Sequence, residues 1–353
     1  MKTLMKGNEA IAEAAIRAGC RAYFGYPITP QNEIPEYFSK RMPEVGGVFV
    51  QAESELAAIN MVYGAASTGK RVMTSSSSPG IALKQEGITY TAGARLPAVI
   101  VSVSRGGPGL GGILPSQGDY YQATRGGGNG DYYAPVYAAS SIQEATDLVQ
   151  IAFNTADKYR CPVMLLVDGL IGQMMEPVEI REIPRYKADH EEWAASGNAA
   201  RRGRRNVITS LDLDGAKLEQ RNILIRKTYE EIVKNEIMYE TGAVDGDEFV
   251  IVAYGTPARI AINAVAELRR GGIKAALFRP ITLRPFPGEA LRNLPSSVKN
   301  VMSLELSMGQ MVDDVRLALN GKLPVHFFGR TGGMLFEVED IVAKVKEIVG
   351  GSR

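Results

Sequence analysis

Apolar residues recur along this chain with two alternating periods, short β-type runs and longer helical stripes. The sharpest junction is GGVFVQAESELAAINMVYGAA at 46–66, where Val48, Phe49 and Val50 form a β-run and a helical pattern takes over after Glu53-Ser54-Glu55. Ala58, Ile59 and Val62 lie three, four and seven residues beyond Glu55, so helical spacing sets its carboxylate on the apolar face. Two readings of Glu55 stay open on periodicity alone. It is an inward carboxylate, or it is a first-turn acid favoured by the helix dipole at the edge of the stripe, as Glu53 is on the face of Ala57 and Asn60.

In chain order the pattern predicts a helix over 7–18, a strand over 21–25 and a corner, Tyr26-Pro27-Ile28-Thr29-Pro30, stiffened by two prolines. Thr29 reads as the N-cap of a helix in QNEIPEYFSK with Pro30 at its first position, and the same rigid corner displays its hydroxyl to a ligand. A strand over 71–75 then runs into Ser75-Ser76-Ser77-Ser78-Pro79-Gly80, a turn thin enough for close backbone approach, or else a solvent loop. A helix over 81–94 and a strongly apolar strand over 98–103 follow, and the strand ends at Ser104-Arg105-Gly106-Gly107-Pro108-Gly109. The stretch 106–133 holds GGPGLGG and RGGGNGDYY without a prompt helix pattern, so it reads as a mobile or ligand-ordered loop and not as a dinucleotide fingerprint. A helix over 142–158 and a strand over 163–167 with Asp168 at its end close a first unit near Pro177.

A polar connector carrying Arg201-Arg202-Gly203-Arg204-Arg205 and a charged helix over 218–239 leads to a second unit. Its strands are expected over 249–254, 274–278, 300–306 and 325–328, with helices over 257–270, after Gly309 and over 337–349. A proline-stiffened crossover over 279–287 presents Arg279 and Arg284, which could face a partner surface. Strands alternating with helices predict an α/β protein with mostly parallel sheets, divided into 1–178, a polar linker at 179–247, and a smaller α/β domain at 248–353.

Composition changes this picture mainly by exclusion. At 353 residues, with 45% hydrophobic residues and a net charge of +1, the chain has ample core and no dominant pull toward nucleic acid or membrane. The arginine cluster at 201–205 reads as a solvated connector, with contact to nucleic acid or an acidic partner as its other reading. Cys20 and Cys161 are too few for a disulfide framework or a four-thiolate cluster, which points to a reduced, cytoplasmic setting. No run is long and apolar enough for a signal sequence or membrane span, so export and insertion are not expected. His190 and His326 sit in no ligand or nucleophile motif, and Trp193 reads as a linker residue packed on a domain surface.

Arg105 is the second candidate for chemistry. A guanidinium at the carboxyl end of a central strand, beside glycine-thinned backbone, suits bidentate capture of a carboxylate or phosphate, and equally a salt bridge within its own loop.

YPITP at 26–30, the QAESELAAI helix start, the SPG turn, SRGGPG at 104–109, the RPITLRPFP crossover and LELSMGQM at 304–311 together resemble the α subunit of 2-oxoacid:ferredoxin oxidoreductases. RGGGNGDYY looks most like the branch acting on 2-oxoisovalerate and related branched 2-oxoacids. The resemblance implies a pyrimidine-domain fold followed by a transketolase-C-terminal-like domain, and oxidative decarboxylation of a 2-oxoacid with thiamine diphosphate to acyl-CoA, carbon dioxide and reduced ferredoxin. It implies that Glu55 hydrogen-bonds the aminopyrimidine ring and favours the imino tautomer that takes the proton from the thiazolium carbon. It places Thr29 close to cofactor and substrate, and Arg105 beside the substrate carboxylate. The chain has no GDG-type diphosphate and magnesium motif and too few cysteines for 4Fe-4S clusters. The resemblance therefore implies partner β, γ and δ subunits that carry Mg2+ and the clusters, with CoA as co-substrate and this chain closing the active site across an αβ interface.

Overall fold

A computed structural model describes residues 2–197 and 205–351. Of the 201–205 cluster, Arg201, Arg202 and Arg204 lie outside the described residues. The first half runs β1 (Thr3–Lys6), α1 (Gly7–Arg17), β2 (Ala22–Gly25), α2 (Glu33–Glu44), β3 (Val48–Gln51), α3 (Glu55–Ser67), β4 (Val72–Ser76), α4 (Ser78–Gly93), β5 (Ala98–Ser104), α5 (Tyr120–Arg125), β6 (Val136–Ala138), α6 (Ile142–Tyr159), β7 (Pro162–Asp168), α7 (Gly169–Gln173) and β8 (Met175–Val178). After it come α8 (Gly215–Asn235), β9 (Tyr239–Thr241), β10 (Phe249–Val252), α9 (Gly255–Arg270), β11 (Ala275–Pro280), β12 (Thr282–Arg284), α10 (Gly288–Arg292), β13 (Asn300–Glu305), α11 (Met311–Leu319), β14 (Val325–Gly329) and α12 (Val338–Gly351).

These strands make a seven-stranded sheet, β12-β6-β7-β5-β4-β2-β3, a five-stranded sheet, β14-β13-β10-β11-β9, and the small pair β1-β8. The large sheet is parallel except for β12, and the second is parallel except for β9. Period-2 alternation divides the large sheet's faces: Val99, Val101 and Val103 of β5 pack in a core with residues of α1, α2 and α6, whereas Ala98 and Ile100 join one with α3 and α4. The β5–β7 register pairs Ser104 with Asp168, so the central strands end level at one edge, where open α/β sheets bind ligands.

Four sequence expectations are corrected. Helix α2 starts at Glu33 with Asn32 as N-cap, so Thr29 is not the cap. A start at Pro30 would have buried Pro35 in the helix interior; the observed start keeps Pro35 in the first turn, whose N–H groups need no intrahelical partner. The Ser-Pro-Gly turn is itself the first turn of α4, with Pro79 at its favoured position. The 106–133 stretch contains a helix, α5. Arg279 and Arg284 face inward: Arg279 pairs with Glu144 and Glu240, each at 2.8 Å, and Arg284 lies 3.9 Å from the Tyr133 ring centre. The crossover leaves the second sheet at β11, which holds Arg279, and joins the first sheet as β12, which holds Arg284.

Candidate functional site

Helix α3 begins where the Ser54 hydroxyl accepts a hydrogen bond from the Ala57 N–H, a cap that sets the rotation of the first turn. Glu55 thereby falls on the inward face with Ala58, Ile59 and Val62, and is 6% exposed, which selects the inward reading of the stripe. Its carboxylate reaches the first turn of α4. A Cβ added at Gly80 would stand 2.1 Å from Ser76 Oγ and 2.7 Å from Glu55 Oε1, so glycine is required for this approach. The carboxylate accepts no hydrogen bond from any described residue. The buried hydroxyls of Thr74, Ser76, Ser77 and Ser102 are likewise without protein partners. Thr74, Ser76 and Ser102 share the sheet face of α3 and α4, so an apolar face turns polar as it nears the strand ends.

Lys84 was not singled out from the sequence. It is fully buried on α4, and its ammonium lies 3.4 Å from the Glu55 carbonyl oxygen. Burial pushes its pKa down to about 8, with the Glu55 charge acting the other way. The signal was present: Lys84 follows Ile81 by three residues and precedes Ile88 by four, a polar residue within an apolar helical stripe.

Arg105 is buried one residue beyond β5. Its Nη1 donates to the Thr29 carbonyl at 2.8 Å and its Nη2 to the Leu110 carbonyl at 3.2 Å, while Nε has no partner. The fork therefore closes the Thr29 corner and the glycine-rich loop together; it forms no direct ion pair with a described residue, although the Asp119 carboxylate nearby feels its charge. Ser78, the first residue of α4, donates to Asp119 at 2.5 Å and accepts from the Arg105 N–H at 3.0 Å. Thus Thr29 meets Arg105 directly, and Arg105 and Glu55 converge on the first turn of α4 from opposite sides. Beside the exposed Thr29, a cavity of about 380 Å³ is lined by Pro30, Ile113, Leu114, Pro115 and Leu170, with Glu33 and Gln173 among its polar groups.

Two other buried carboxylates are saturated with donors: Asp168, which ties the first sheet to α9, and Glu305, which orders the turn after β13 within its own unit. Asp168 Oδ1 accepts from the Leu170 and Ile171 N–H groups and the Thr256 hydroxyl, and Oδ2 accepts from the Thr256 N–H. Glu305 Oε1 accepts from Ser303 and the Val312 N–H; its Oε2 accepts from Ser307 and the Gln310 and Met311 N–H groups. Gln117 bridges the units, donating to the Tyr254 carbonyl at 2.9 Å and accepting from the Leu306 N–H at 3.0 Å. Sequence reasoning placed Asp168 only at a strand end and left Gln117 unremarked, because Thr256 lies 88 residues from Asp168 and the Gln117 partners lie 137 and 189 residues away. The Glu305 donors are only two to seven residues distant, but the turn that gathers them shows no period in the sequence.

The Glu55 region fits one edge of a planar, hydrogen-bonding ring: it offers an unpartnered carboxylate, orphaned hydroxyls and a glycine-thinned helix turn. Among the described residues no three His, Cys, Asp or Glu converge as a metal site. What the chain itself offers is thus a ring-binding edge, and the donor set fits the pyrimidine side of thiamine diphosphate.

The fold defines a class first. The chain superposes on a split-gene transketolase, an inactive β4 tetramer, with a TM-score of 0.61 and 15% identity over 99% of both chains, which shows a shared fold. It superposes with a TM-score of 0.87 and 26% identity on 2-oxoglutarate:ferredoxin oxidoreductase from Magnetococcus marinus, solved with 2-oxoglutarate, coenzyme A and succinyl-CoA bound; the match covers 98% of this chain and 65% of that one. Residues 13–240 match the thiamine-diphosphate-binding family of pyruvate flavodoxin/ferredoxin oxidoreductases, and 247–341 match core domain II of pyruvate:ferredoxin oxidoreductase. Ketoisovalerate oxidoreductase subunit VorB of Methanothermobacter thermautotrophicus is 50% identical over 99% of this chain and 98% of its own length. 2-Oxoglutarate synthase subunit KorA of Methanocaldococcus jannaschii is 36% identical over 96% and 97%. The chain belongs to the 2-oxoacid:ferredoxin oxidoreductase family, as a thiamine-diphosphate-binding-type subunit of a multi-subunit oxidoreductase. Among the described residues no helix is long and apolar enough to cross a membrane.

Proposed function

We propose that this chain is the α subunit of a cytoplasmic enzyme that converts a branched-chain 2-oxoacid, CoA and oxidised ferredoxin to acyl-CoA, carbon dioxide and reduced ferredoxin. The observation that carries this reading is the buried Glu55 carboxylate, held over Gly80 without a donor. A buried carboxylate left unpaired is costly, so the site is built for a donor that arrives with a ligand. When bound, thiamine diphosphate supplies a carbon nucleophile and an electron sink for decarboxylation.

Glu55 accepts a hydrogen bond from the aminopyrimidine ring and holds it in the tautomer able to take up a proton. Arg105, in no direct ion pair with a described residue and with Nε unpartnered, receives the 2-oxoacid carboxylate, and Thr29 borders the same space. The apolar cavity beside Thr29 suits a branched aliphatic side chain. The VorB relatives support the same substrate class. Partner subunits β, γ and δ supply the diphosphate site, Mg2+ and 4Fe-4S clusters. The division into a pyrimidine-type domain at 1–178, a linker at 179–247 and a transketolase-C-terminal-like domain at 248–353 belongs to this proposal.

The test is hydrogen–deuterium exchange at the thiazolium carbon in the assembled complex, comparing wild type with Glu55→Gln at equal cofactor occupancy. Slowed exchange is expected. Exchange at the wild-type rate would make this a scaffold subunit. Turnover of a panel of 2-oxoacids with CoA and a viologen dye tests the substrate class, and faster turnover of 2-oxoglutarate or pyruvate would move the chain to another branch of the family.

A further inference from the structure

A second cavity, about 540 Å³, lies at the opposite edge of the seven-stranded sheet. Arg95 comes just before β5 and Arg160 just before β7, so both arginines stand at the amino ends of neighbouring parallel strands, away from Glu55 and Arg105. Both have left-handed backbone, φ 53° and 51°, a conformation that disfavours any residue with a side chain and that glycine adopts freely.

The two arginine side chains are half-buried against one another. Arg160 Nε donates to the Arg95 carbonyl at 3.3 Å, and the Arg160 guanidinium lies 4.3 Å from the Trp193 ring centre. Among the described residues, Arg95 Nη2 donates only to the Thr228 hydroxyl, at 3.4 Å. Neither forms an ion pair with a described residue, whereas Arg221 in the same wall is paired with Asp212 at 2.6 Å. Burial and then the Arg95 charge push Arg160 down to about 10, and burial lowers Arg95 as well. Neighbouring Cys161 provides no countercharge, because burial pushes its thiol up to about 12. Glu192 lines the pocket and favours the charged Arg160, and exposed Arg205 adds a further cation to the same wall. Two adjacent, partly desolvated guanidiniums with no ion-pair partner among the described residues match a dianion better than a monoanion, and their planar forks suit phosphoryl oxygens.

We propose that this pocket binds a small phosphorylated ligand, with its phosphoryl group held between Arg95 and Arg160. Ile208 and Leu224 offer apolar walls for the rest of the molecule.

Isothermal titration of the full chain with inorganic phosphate, pyrophosphate and ADP separates a free phosphate site from one for a phosphorylated organic molecule. Saturable binding of at least one probe is expected, weakened about tenfold or more by Arg160→Gln or Arg95→Gly, in line with loss of a charge-assisted pair. Glycine is compatible with the backbone at 95, so Arg95→Gly should keep or raise the ligand-free Tm while losing affinity. Turnover of 2-oxoacid by the complex should be unchanged in both variants. Absence of saturable binding in the wild type, or full affinity in a folded Arg95→Gly protein, would overturn the proposal. Tight binding of an RNA or DNA oligonucleotide with no response to the three small probes would also overturn it, in favour of a nucleic-acid surface.

Discussion

Buried carboxylates occupy two regions of this protein under opposite conditions. At the seam between the sheets, Asp168 receives four donated hydrogen bonds and Glu305 five. At the strand ends, Glu55 is just as sequestered and receives none from the described residues. A desolvated carboxylate is tolerated when donors replace its water, so the seam carboxylates are fastenings. The Glu55 carboxylate lacks that compensation within the chain, and the orphaned hydroxyls of Ser76, Ser77 and Ser102 share its condition. Saturation marks structure, and its absence at an equal depth marks a place reserved for something that binds.

The comparison breaks most sharply at Glu305. Glu305→Leu strands three backbone N–H groups and two hydroxyls, and should cost about 4 kcal/mol in denaturant unfolding. Loss of less than ~1 kcal/mol would mean that the seam is not held by its carboxylates. Glu55→Gln should do the reverse, with unfolding free energy undiminished and complex assembly intact while kcat falls at least about a hundredfold. Equal destabilisation in the two variants would erase the distinction between the regions.

Lys84 sharpens the comparison through pH. Its folded pKa, about 8, lies below the ordinary 10.5, so the unfolded chain holds the proton more tightly. The penalty is complete below about pH 8 and fades as pH rises toward 10.5, so stability attributable to this group increases across that window. Lys84→Met should therefore be more stable than wild type at pH 7, by on the order of 2 kcal/mol, and the gap should close by pH 10.5. A pH-independent gap would show that Lys84 is not a desolvated cation.

Smaller effects should follow from the two arginines. Arg105→Lys keeps the charge and removes the planar fork, so KM for the 2-oxoacid should rise roughly tenfold with KM for CoA little changed. An unchanged 2-oxoacid KM would leave Arg105 only its bonds to the Thr29 and Leu110 carbonyls. Arg284, sandwiched near Tyr133 and Tyr229, should contribute about 1 kcal/mol, read as the loss in Arg284→Ala by thermal unfolding.

Local pattern carried much of this fold. Runs such as 98–103 and stripes such as 142–158 announce themselves because side-chain direction follows a period of 2 or 3.6, and the Glu55 stripe was legible for the same reason. Strands β1, β6, β8, β9 and β12 were not legible, since they are three or four residues long and lack the continuous apolar run that marks equally short strands such as β3 and β10. The α2 start was misread because Thr-Pro and Asn-Glu-Ile-Pro offer competing helix starts within a few residues.

The sequence by itself determined the α/β alternation, the inward face of the Glu55 helix and the placement of Thr29 and Arg105 at strand ends, all of which depend on neighbours within a turn or two. Only the tertiary structure decided which polar groups meet across the two units. Asp168 meets Thr256 across 88 residues and Gln117 meets Leu306 across 189, and no periodicity reports contacts at that separation. The same holds for β12, which leaves the second unit to complete the first sheet, and for Lys84, whose burial depends on how α3 and α4 pack. Whether a buried charge is a fastening or a site depends on the donors that the fold brings to it, because the desolvation cost is the same and only the compensation differs.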